Sequence, residues 1–252
     1  MQKSVSFKNN AGLNLKGLLT EADTDKIIIM CHGFASDKNS KGRFEKLSAE
    51  FCNSAISSLA FDFRGCGQSD DAPITVEGEI NDLFSAIDFV KKLGYSKIGL
   101  YGHSSGSRIC LSAYSQQIST IVVSGALTAP MFYDWNLYYT PEQLAAMNKY
   151  GSFRHDINTP LRKSVVISKE YIDSFAAVDS EKLLGRINCP VLIIHGNRGE
   201  EEQALLANSV KAVKFLSPDS SLKIIEGADH SFLTKFNQLT DYAVDWFNKY
   251  LK

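Results

Sequence analysis

Cysteine is sparse in this chain, and its spacing fits neither a disulfide framework nor a zinc site. The five residues are odd in number, scattered and never in Cys-x-x-Cys spacing. Two of them, Cys31 and Cys66, lie beside motifs described below. No helix start or basic cluster is expected next to either thiol, so we predict that both are packing residues and that no metal is bound. The cysteines are Cys31, Cys52, Cys66, Cys110 and Cys189.

An excess of one charge and long hydrophobic runs are also missing. The 27 basic and 28 acidic residues give a formal charge of -1, and no run of five basic residues occurs, so no surface for nucleic acid is expected. No stretch approaches eighteen uninterrupted apolar residues, and residues 1–10 lack the apolar core of a signal peptide. We therefore expect a cytoplasmic protein that binds neither nucleic acid nor membrane.

The length and composition are those of an ordinary globular protein. With 252 residues, of which 44% are hydrophobic, the chain can bury one sizeable core. We predict a single domain over residues 1–252. The sequence leaves open whether this domain forms a homodimer.

The order of apolar patterns predicts an α/β fold. Two alternating stretches, Lys3 to Lys8 and Leu13 to Thr20, predict an antiparallel hairpin. Lys26 to Cys31 is then a continuous apolar run, typical of a strand buried on both faces of a parallel sheet. Strands and helices alternate afterwards, which predicts a doubly wound, mostly parallel sheet that binds ligands at the carboxyl ends of its strands. Further strands are predicted at 58–63, 97–101, 120–123, 191–194 and 222–225, and helices at 43–53, 76–93, 204–216 and 234–251 and directly after residue 104.

One aromatic-rich segment interrupts this alternation. From Ala129 to about Ser180 the pattern contains helical stretches but no clear strand. We predict a small, mainly helical lid insertion at about 129–180, covering an apolar or aromatic-lined pocket. In the alternative, which stays open, the aromatic residues only pack the insertion against the body of the protein.

The segment Gly102-His103-Ser104-Ser105-Gly106 lies between a predicted strand and a predicted helix. A serine at the apex of so sharp a turn has its hydroxyl lifted clear of the sheet, and the flanking glycines remove the Cβ atoms that would crowd the turn. The five-residue pattern alone has a real false-positive risk, so the surrounding elements must support it. Ser104 is the candidate nucleophile.

A serine nucleophile needs a base and two oxyanion donors, and the sequence offers candidates for each. Of the five histidines, His230 lies in the loop between the last predicted strand and the last helix, where an imidazole can turn back over the sheet edge. The other four are expected to be structural. The oxyanion donors are predicted to be the backbone N–H groups of Ser105 and of Phe34, which follows the first buried strand.

Ordered motifs span nearly the whole chain. They include His32-Gly33-Phe34, Asp62-Phe63-Arg64-Gly65-Cys66-Gly67-Gln68-Ser69, the segment 102–106 and Gly227-Ala228-Asp229-His230. In this order they resemble the motifs of the α/β-hydrolase superfamily, with the greatest likeness to bacterial cinnamoyl and feruloyl esterases and to serine-aminopeptidase-like hydrolases. This resemblance implies an α/β-hydrolase fold that hydrolyses a carboxylic ester through an acyl-enzyme on Ser104, with no cofactor.

The third triad member departs from the pattern of these relatives. They usually continue the strand equivalent to 191–194 as His-Gly-x-x-Asp, whereas this chain has Gly199 at the position of the acid, followed by three glutamates. A lengthened loop would present one of them to His230; we favour Glu201, with Glu200 next. In the alternative, the glutamates form a solvated first helical turn, where acids interact favourably with the helix dipole. The other usual acid position, after the strand at 120–123, offers no carboxylate.

The leading functional prediction is a serine hydrolase, and within that class a carboxylesterase that cleaves small acyl or aromatic esters. Its partner would be a small-molecule ester. A catalytically impaired or ligand-binding homologue is the alternative suggested by Gly199, and thioesterase, lactonase or peptidase activity also stays open.

Overall fold

An eight-stranded sheet forms the centre of the protein in a computed structural model that describes residues 2–157, 159 and 161–252. Met1, Asn158 and Pro160 lie outside the described residues. The strands are β1 (Gln2–Lys8), β2 (Asn14–Thr20), β3 (Lys26–Cys31), β4 (Ser57–Phe61), β5 (Lys97–His103), β6 (Ile118–Ser124), β7 (Ser152–Asp156), β8 (Ser164–Ser168), β9 (Val191–Gly196) and β10 (Ser221–Ile225). Two of the strands in the described residues, β7 and β8, form a separate sheet. The α-helices are α1 (Arg43–Asn53), α2 (Val76–Lys92), α3 (Ser105–Ser112), α4 (Pro141–Tyr150), α5 (Lys169–Asp173), α6 (Ser180–Leu184), α7 (Glu200–Ala212) and α8 (Phe236–Tyr250).

The strand order is β1-β2-β4-β3-β5-β6-β9-β10. The predicted N-terminal hairpin is confirmed: β1 pairs antiparallel with β2, which pairs antiparallel with β4. All other neighbours in this sheet are parallel. The carboxyl ends of β3, β5, β6, β9 and β10 therefore meet at one edge, and the loops that follow them carry the candidate site.

Both faces of the sheet are covered, which explains the continuous apolar run of β3. Side chains alternate between the two faces of a strand, and Ile27 and Ile29 belong to a core cluster with α2, α3 and α7. Ile28 and Met30 belong to a second cluster with α1 and α8. The predicted doubly wound α/β architecture is confirmed.

Residues 129–180 connect β6 towards β9 and contain more than the predicted helices. They also include an antiparallel hairpin of β7 and β8, which the sequence pattern did not predict. Each strand is only five residues long, and within this hairpin Phe153 and Ile167 are buried while Arg154 is exposed. So short an alternation gives little signal. A bridge between Ile167 and Ile74 joins the hairpin to the main body. No helix of the described residues is long and apolar enough to cross a membrane.

Candidate active site

Ser104 lies at a sharp turn between β5 and α3, with φ 56° and ψ -128°. The glycines of this turn are required by space. A Cβ at Gly102 would lie 2.5 Å from the carbonyl oxygen of Gly106, and one at Gly106 would lie 2.4 Å from the carbonyl oxygens of Cys31 and His32. The turn therefore holds the serine in a strained conformation that persists because the surrounding backbone leaves no alternative.

The structure brings Ser104 and His230 within hydrogen-bond distance. The Nε2 atom of His230 lies 2.9 Å from Ser104 Oγ, and its Nδ1 atom lies 2.6 Å from Oε2 of Glu202. An ionised carboxylate only accepts, so Nδ1–H donates to Glu202 and Nε2 is left to accept from the Ser104 hydroxyl. A Cβ at Gly125, which has φ +55°, would lie 2.7 Å from His230 Cε1, so this glycine leaves room for the imidazole.

The carboxylate beside His230 corrects the prediction from sequence, which favoured Glu201 and then Glu200. Glu200 is exposed, and Glu201 accepts a hydrogen bond from the Tyr133 hydroxyl at 2.9 Å. The cause is the start of α7, which begins at Glu200 rather than near Ala204. Spacings of three and four residues put one helical face towards the core, and Glu202 lies on it. The buried residues of this face are Glu202, Leu205, Ser209 and Ala212.

Glu202 also has a second imidazole partner. Its Oε1 atom accepts from His195 Nδ1 at 2.7 Å and from the Gly196 backbone N–H at 2.9 Å. His195 Nε2 lies 2.9 Å from Ser209 Oγ, which in turn lies 2.8 Å from the Thr128 hydroxyl. All these side chains are buried. The carboxylate is thus fixed on both oxygens, and His195, expected from sequence to be merely structural at its strand end, belongs to the site.

The electrostatics of this network favour an ionised Glu202. Burial raises the pKa of its carboxyl group, but the hydrogen bonds from His195 and His230 more than offset that effect, and the pKa lies below the ordinary 4.5. At neutral pH the network therefore contains one buried negative charge between two imidazoles.

The loops after β9 and β10 are tied to each other, which fixes the loop that carries His230. Asn197 Oδ1 accepts from the Gly227 backbone N–H at 2.8 Å. Arg198 forms an ion pair with Asp229 at 2.8 Å, directly before the histidine.

The predicted oxyanion donors flank the serine. Within the described residues, neither the Phe34 nor the Ser105 backbone N–H has a hydrogen-bond partner. A Cβ at Gly33 would lie 3.2 Å from Ser104 Cβ, so the turn after β3 approaches Ser104 closely. The Phe34 ring stacks on Tyr171 with centroids 5.0 Å apart. Both amides are thus free to donate towards a group bound at Ser104.

The other histidines and cysteines near these motifs have structural roles. Phe63 N–H donates to His32 Nε2 at 3.2 Å, which places this histidine in the support of a neighbouring loop. Burial, together with the charges of Arg43, His230 and Lys41, holds the pKa of His103 well below its usual range. Burial also raises the pKa of the Cys31 and Cys66 thiols, as expected of packing residues. Among the described residues, no group of three or more His, Cys, Asp or Glu side chains is arranged so that it could hold a metal ion.

A cavity of about 280 Å³ opens over the serine. Nearby, aromatic side chains of residues 129–180 form a continuous cluster that includes the pairs Tyr133–Phe175 and Trp135–Phe175. Phe175 also contacts the Phe34 ring. The cavity is lined by Gly33, Phe34, Ser36, Lys41, Arg43, His103, Ser104, His230 and Ser231.

Solved structures with the same fold include several hydrolases. The α/β hydrolase GrgF from Penicillium sp. sh18 has a TM-score of 0.77 at 17% identity, covering 100% of this chain and 99% of that chain. Est1E from Butyrivibrio proteoclasticus, solved with ferulic acid, has a TM-score of 0.75 at 18% identity, with 98% of both chains covered. A soluble variant of the Saccharomyces cerevisiae monoglyceride lipase, in complex with a substrate analogue, has a TM-score of 0.75 at 20% identity, covering 99% and 95%. At these identities the likeness establishes the fold.

The sequence itself places the chain in a family. No curated protein matches it significantly. The profile of the family described as serine aminopeptidase, S33, matches residues 22–184, which contain the serine turn and the first oxyanion loop. Together with the fold, this match identifies the chain as a member of the serine aminopeptidase S33 family within the α/β-hydrolase superfamily.

Proposed function

We propose that this protein is a serine esterase that cleaves small carboxylic esters through an acyl-enzyme on Ser104. The observation that carries the proposal is the unbroken hydrogen-bond chain from Ser104 Oγ through His230 to Glu202. Such a chain gives a serine hydroxyl the base that it needs, and gives the base the group that orients it.

In the proposed reaction, Ser104 Oγ attacks the ester carbonyl carbon while His230 Nε2 takes the hydroxyl proton. The negative charge that develops on the carbonyl oxygen is stabilised by the N–H groups of Phe34 and Ser105. His230 then gives its proton to the departing alkoxide as the carbon–oxygen bond breaks. A water molecule, deprotonated by the same imidazole, releases the acid and restores the serine.

The charges of the network suit these steps. When His230 becomes an imidazolium, Glu202 is ionised and lies 2.6 Å from its Nδ1–H, so a charge-assisted hydrogen bond stabilises the intermediate. The impaired-homologue alternative arose from glycine at position 199. Glu202 supplies the acid that this position lacks, which favours the catalytic proposal.

We further propose that residues 129–180 act as the lid over this site. Two contacts support this role: the Tyr133 hydroxyl donates to Glu201 beside the triad acid, and the Phe34 ring packs against Tyr171 and Phe175. The lid aromatics would then border the acyl or alcohol group, which favours small acyl or aromatic esters.

The direct test is hydrolysis of p-nitrophenyl acetate and butyrate by the wild type and by Ser104→Ala. We expect ester hydrolysis by the wild type and loss of at least a thousandfold in kcat/KM for the variant. Full activity of Ser104→Ala would exclude the proposal. A thioester and an aminoacyl p-nitroanilide are assayed in parallel to distinguish esterase, thioesterase and peptidase activity. If kcat/KM for the thioester or the anilide is higher than for the esters, that activity replaces the esterase assignment.

A further inference from the structure

The mouth of the catalytic cavity is cationic. Apart from the histidines, the charged side chains that line it are Lys41 and Arg43, and none of its lining residues is a carboxylate. The two basic residues differ in what they contact, and that difference indicates what each does.

Arg43 uses three of its five N–H groups within the protein. Its Nε donates to the Ser40 carbonyl oxygen at 2.8 Å, its Nη2 to Ser40 Oγ at 3.1 Å and its Nη1 to the Ser231 carbonyl oxygen at 2.9 Å. The residue is 6% exposed. Arg43 is therefore held in place by its bonds to the turn at residues 40–42 and to the loop of His230, and it cannot reach out to follow a ligand.

Lys41 sits at the tip of that turn in an unusual backbone conformation. Three successive residues have left-handed φ values, Ser40 at 47°, Lys41 at 58° and Gly42 at 81°. Left-handed conformations are costly for residues other than glycine, and they persist where surrounding contacts enforce them. Here Arg43 bonds to both the carbonyl oxygen and the hydroxyl of buried Ser40. The fold thus holds a lysine at the cavity mouth at a cost in backbone strain.

The Lys41 amine is unpaired within the described part of the chain: it has neither a hydrogen bond nor an ion pair there. The nearby Lys38 provides a contrast, because its amine is buried against Asp62 at 2.6 Å and also donates to Gln68. A structural lysine in this region has a carboxylate partner, whereas the lysine that borders the catalytic cavity has none.

We propose that Lys41 is a specificity residue that binds an anionic group, a carboxylate or phosphate, on the ester substrate. The proposal rests on the esterase function and narrows its substrate class to acidic esters, such as the half-ester of a dicarboxylic acid. A lysine suits this task because its compact charge at the end of a flexible stem can follow a small anion at different positions. The anion would lie on the acyl or on the alcohol side of the scissile bond.

The test compares matched neutral and acidic substrates. On the acyl side, 4-nitrophenyl valerate is paired with mono-4-nitrophenyl glutarate, which has the same number of acyl carbons. On the alcohol side, the neutral substrate is methyl 4-butyryloxybenzoate, and its acidic partners are 4-butyryloxybenzoate and 4-butyryloxyphenyl phosphate. The readout is the ratio of kcat/KM for the acidic ester to that for its neutral partner, so a general loss of active enzyme cancels.

We expect the wild type to prefer the acidic member of at least one pair, mainly through KM. In Lys41→Met the acidic-to-neutral ratio of kcat/KM should fall by roughly tenfold at low salt, because one nearby charge pair in a partly hydrated cleft has an effect of that size. Lys41→Glu should invert the preference, because its carboxylate repels the anionic substrate. The preference should weaken as ionic strength rises. Lys41→Arg should restore most of it, and Lys92→Met, at an exposed position in the last turn of α2, should leave both rates unchanged.

The outcomes separate this proposal from the esterase assignment. If the wild type hydrolyses the neutral esters but has the same acidic-to-neutral ratio as Lys41→Met and Lys41→Glu in every pair, the role of Lys41 is refuted and the esterase function stands. If no ester of either kind is hydrolysed, the esterase function itself is refuted.

Discussion

Replacing Glu202 by glutamine tests whether Glu202, rather than Glu201 or Glu200, is the carboxylate that orients His230. The wild-type carboxylate accepts from three donors: His195 Nδ1 and the Gly196 N–H at one oxygen, and His230 Nδ1 at the other. A glutamine side chain has one acceptor oxygen and one NH₂ group. With its oxygen on the side of two donors, its NH₂ faces His230 Nδ1. The imidazole must then carry its proton on Nε2, where it cannot accept from Ser104.

This tautomer change sets the expected magnitude. In serine enzymes, an amide in place of the triad acid lowers kcat by about 10⁴-fold through the wrong tautomer. We expect Glu202→Gln to lose about 10³- to 10⁴-fold in kcat on p-nitrophenyl butyrate, or roughly 4 to 5.5 kcal/mol of transition-state stabilisation, with little change in KM.

Glu201→Gln and Glu200→Gln are the matched controls, because they neutralise adjacent carboxylates of the same helical turn. Both should stay within about threefold of the wild type, since Glu200 is exposed and a glutamine at position 201 keeps an oxygen that accepts from the Tyr133 hydroxyl. Circular dichroism at the assay temperature establishes that each variant is folded. A folded Glu202→Gln within tenfold of the wild type, or an equal loss in Glu201→Gln, would refute the assignment of Glu202.

Three other variants test neighbouring contacts. His195→Phe removes the donor to Glu202 Oε1, and we expect kcat to fall roughly tenfold to a hundredfold. His195→Asn can place an N–H near the former Nδ1 and should recover much of this loss, and equal losses in both variants would argue against positioning by His195. Gly125→Ala puts a Cβ 2.7 Å from His230 Cε1, so kcat should fall about a hundredfold while KM changes little, and an unaltered kcat would contradict this crowding. Burial raises the pKa of Glu79 to about 8, so the folded state keeps a proton that the unfolded chain releases above about 4.5. The Tm of the wild type minus that of Glu79→Gln should therefore fall from pH 5 to pH 8 and level off above pH 8. A Tm difference that does not change with pH would refute the raised pKa.

The sequence predicted the sheet because its strands are buried on both faces and their apolar runs are continuous. The order of motifs then puts Ser104 and His230 at one sheet edge, where the structure has them 2.9 Å apart. Phe34 follows β3, the neighbour of β5, so its closeness to the serine also follows from strand order.

The acid was wrongly predicted because the start of α7 was placed near Ala204. With the helix starting at Glu200, the spacing from Glu202 to Leu205, Ser209 and Ala212 is that of one buried face, and this pattern points to Glu202. The signal was present in the sequence but depended on a helix boundary, which local propensity defines poorly.

Other features depend on contacts that no local pattern encodes. His195 has a role in the site only because Oε1 of Glu202 lies 2.7 Å away, a distance set by the packing of α7 against β9. The left-handed turn at Ser40 and Lys41 is bonded to Arg43, whose third contact, Ser231, is far away in sequence. Such tertiary contacts override what the residues prefer alone.

Covalent labelling measures whether Ser104 is an activated nucleophile. The protein is incubated with a fluorophosphonate, and the adduct is measured by intact mass and located by peptide mapping, with Ser104→Ala alongside. We expect one adduct per chain, on Ser104, and none in the variant. An unlabelled wild type, or an adduct of equal yield in Ser104→Ala, would show that Ser104 is not activated.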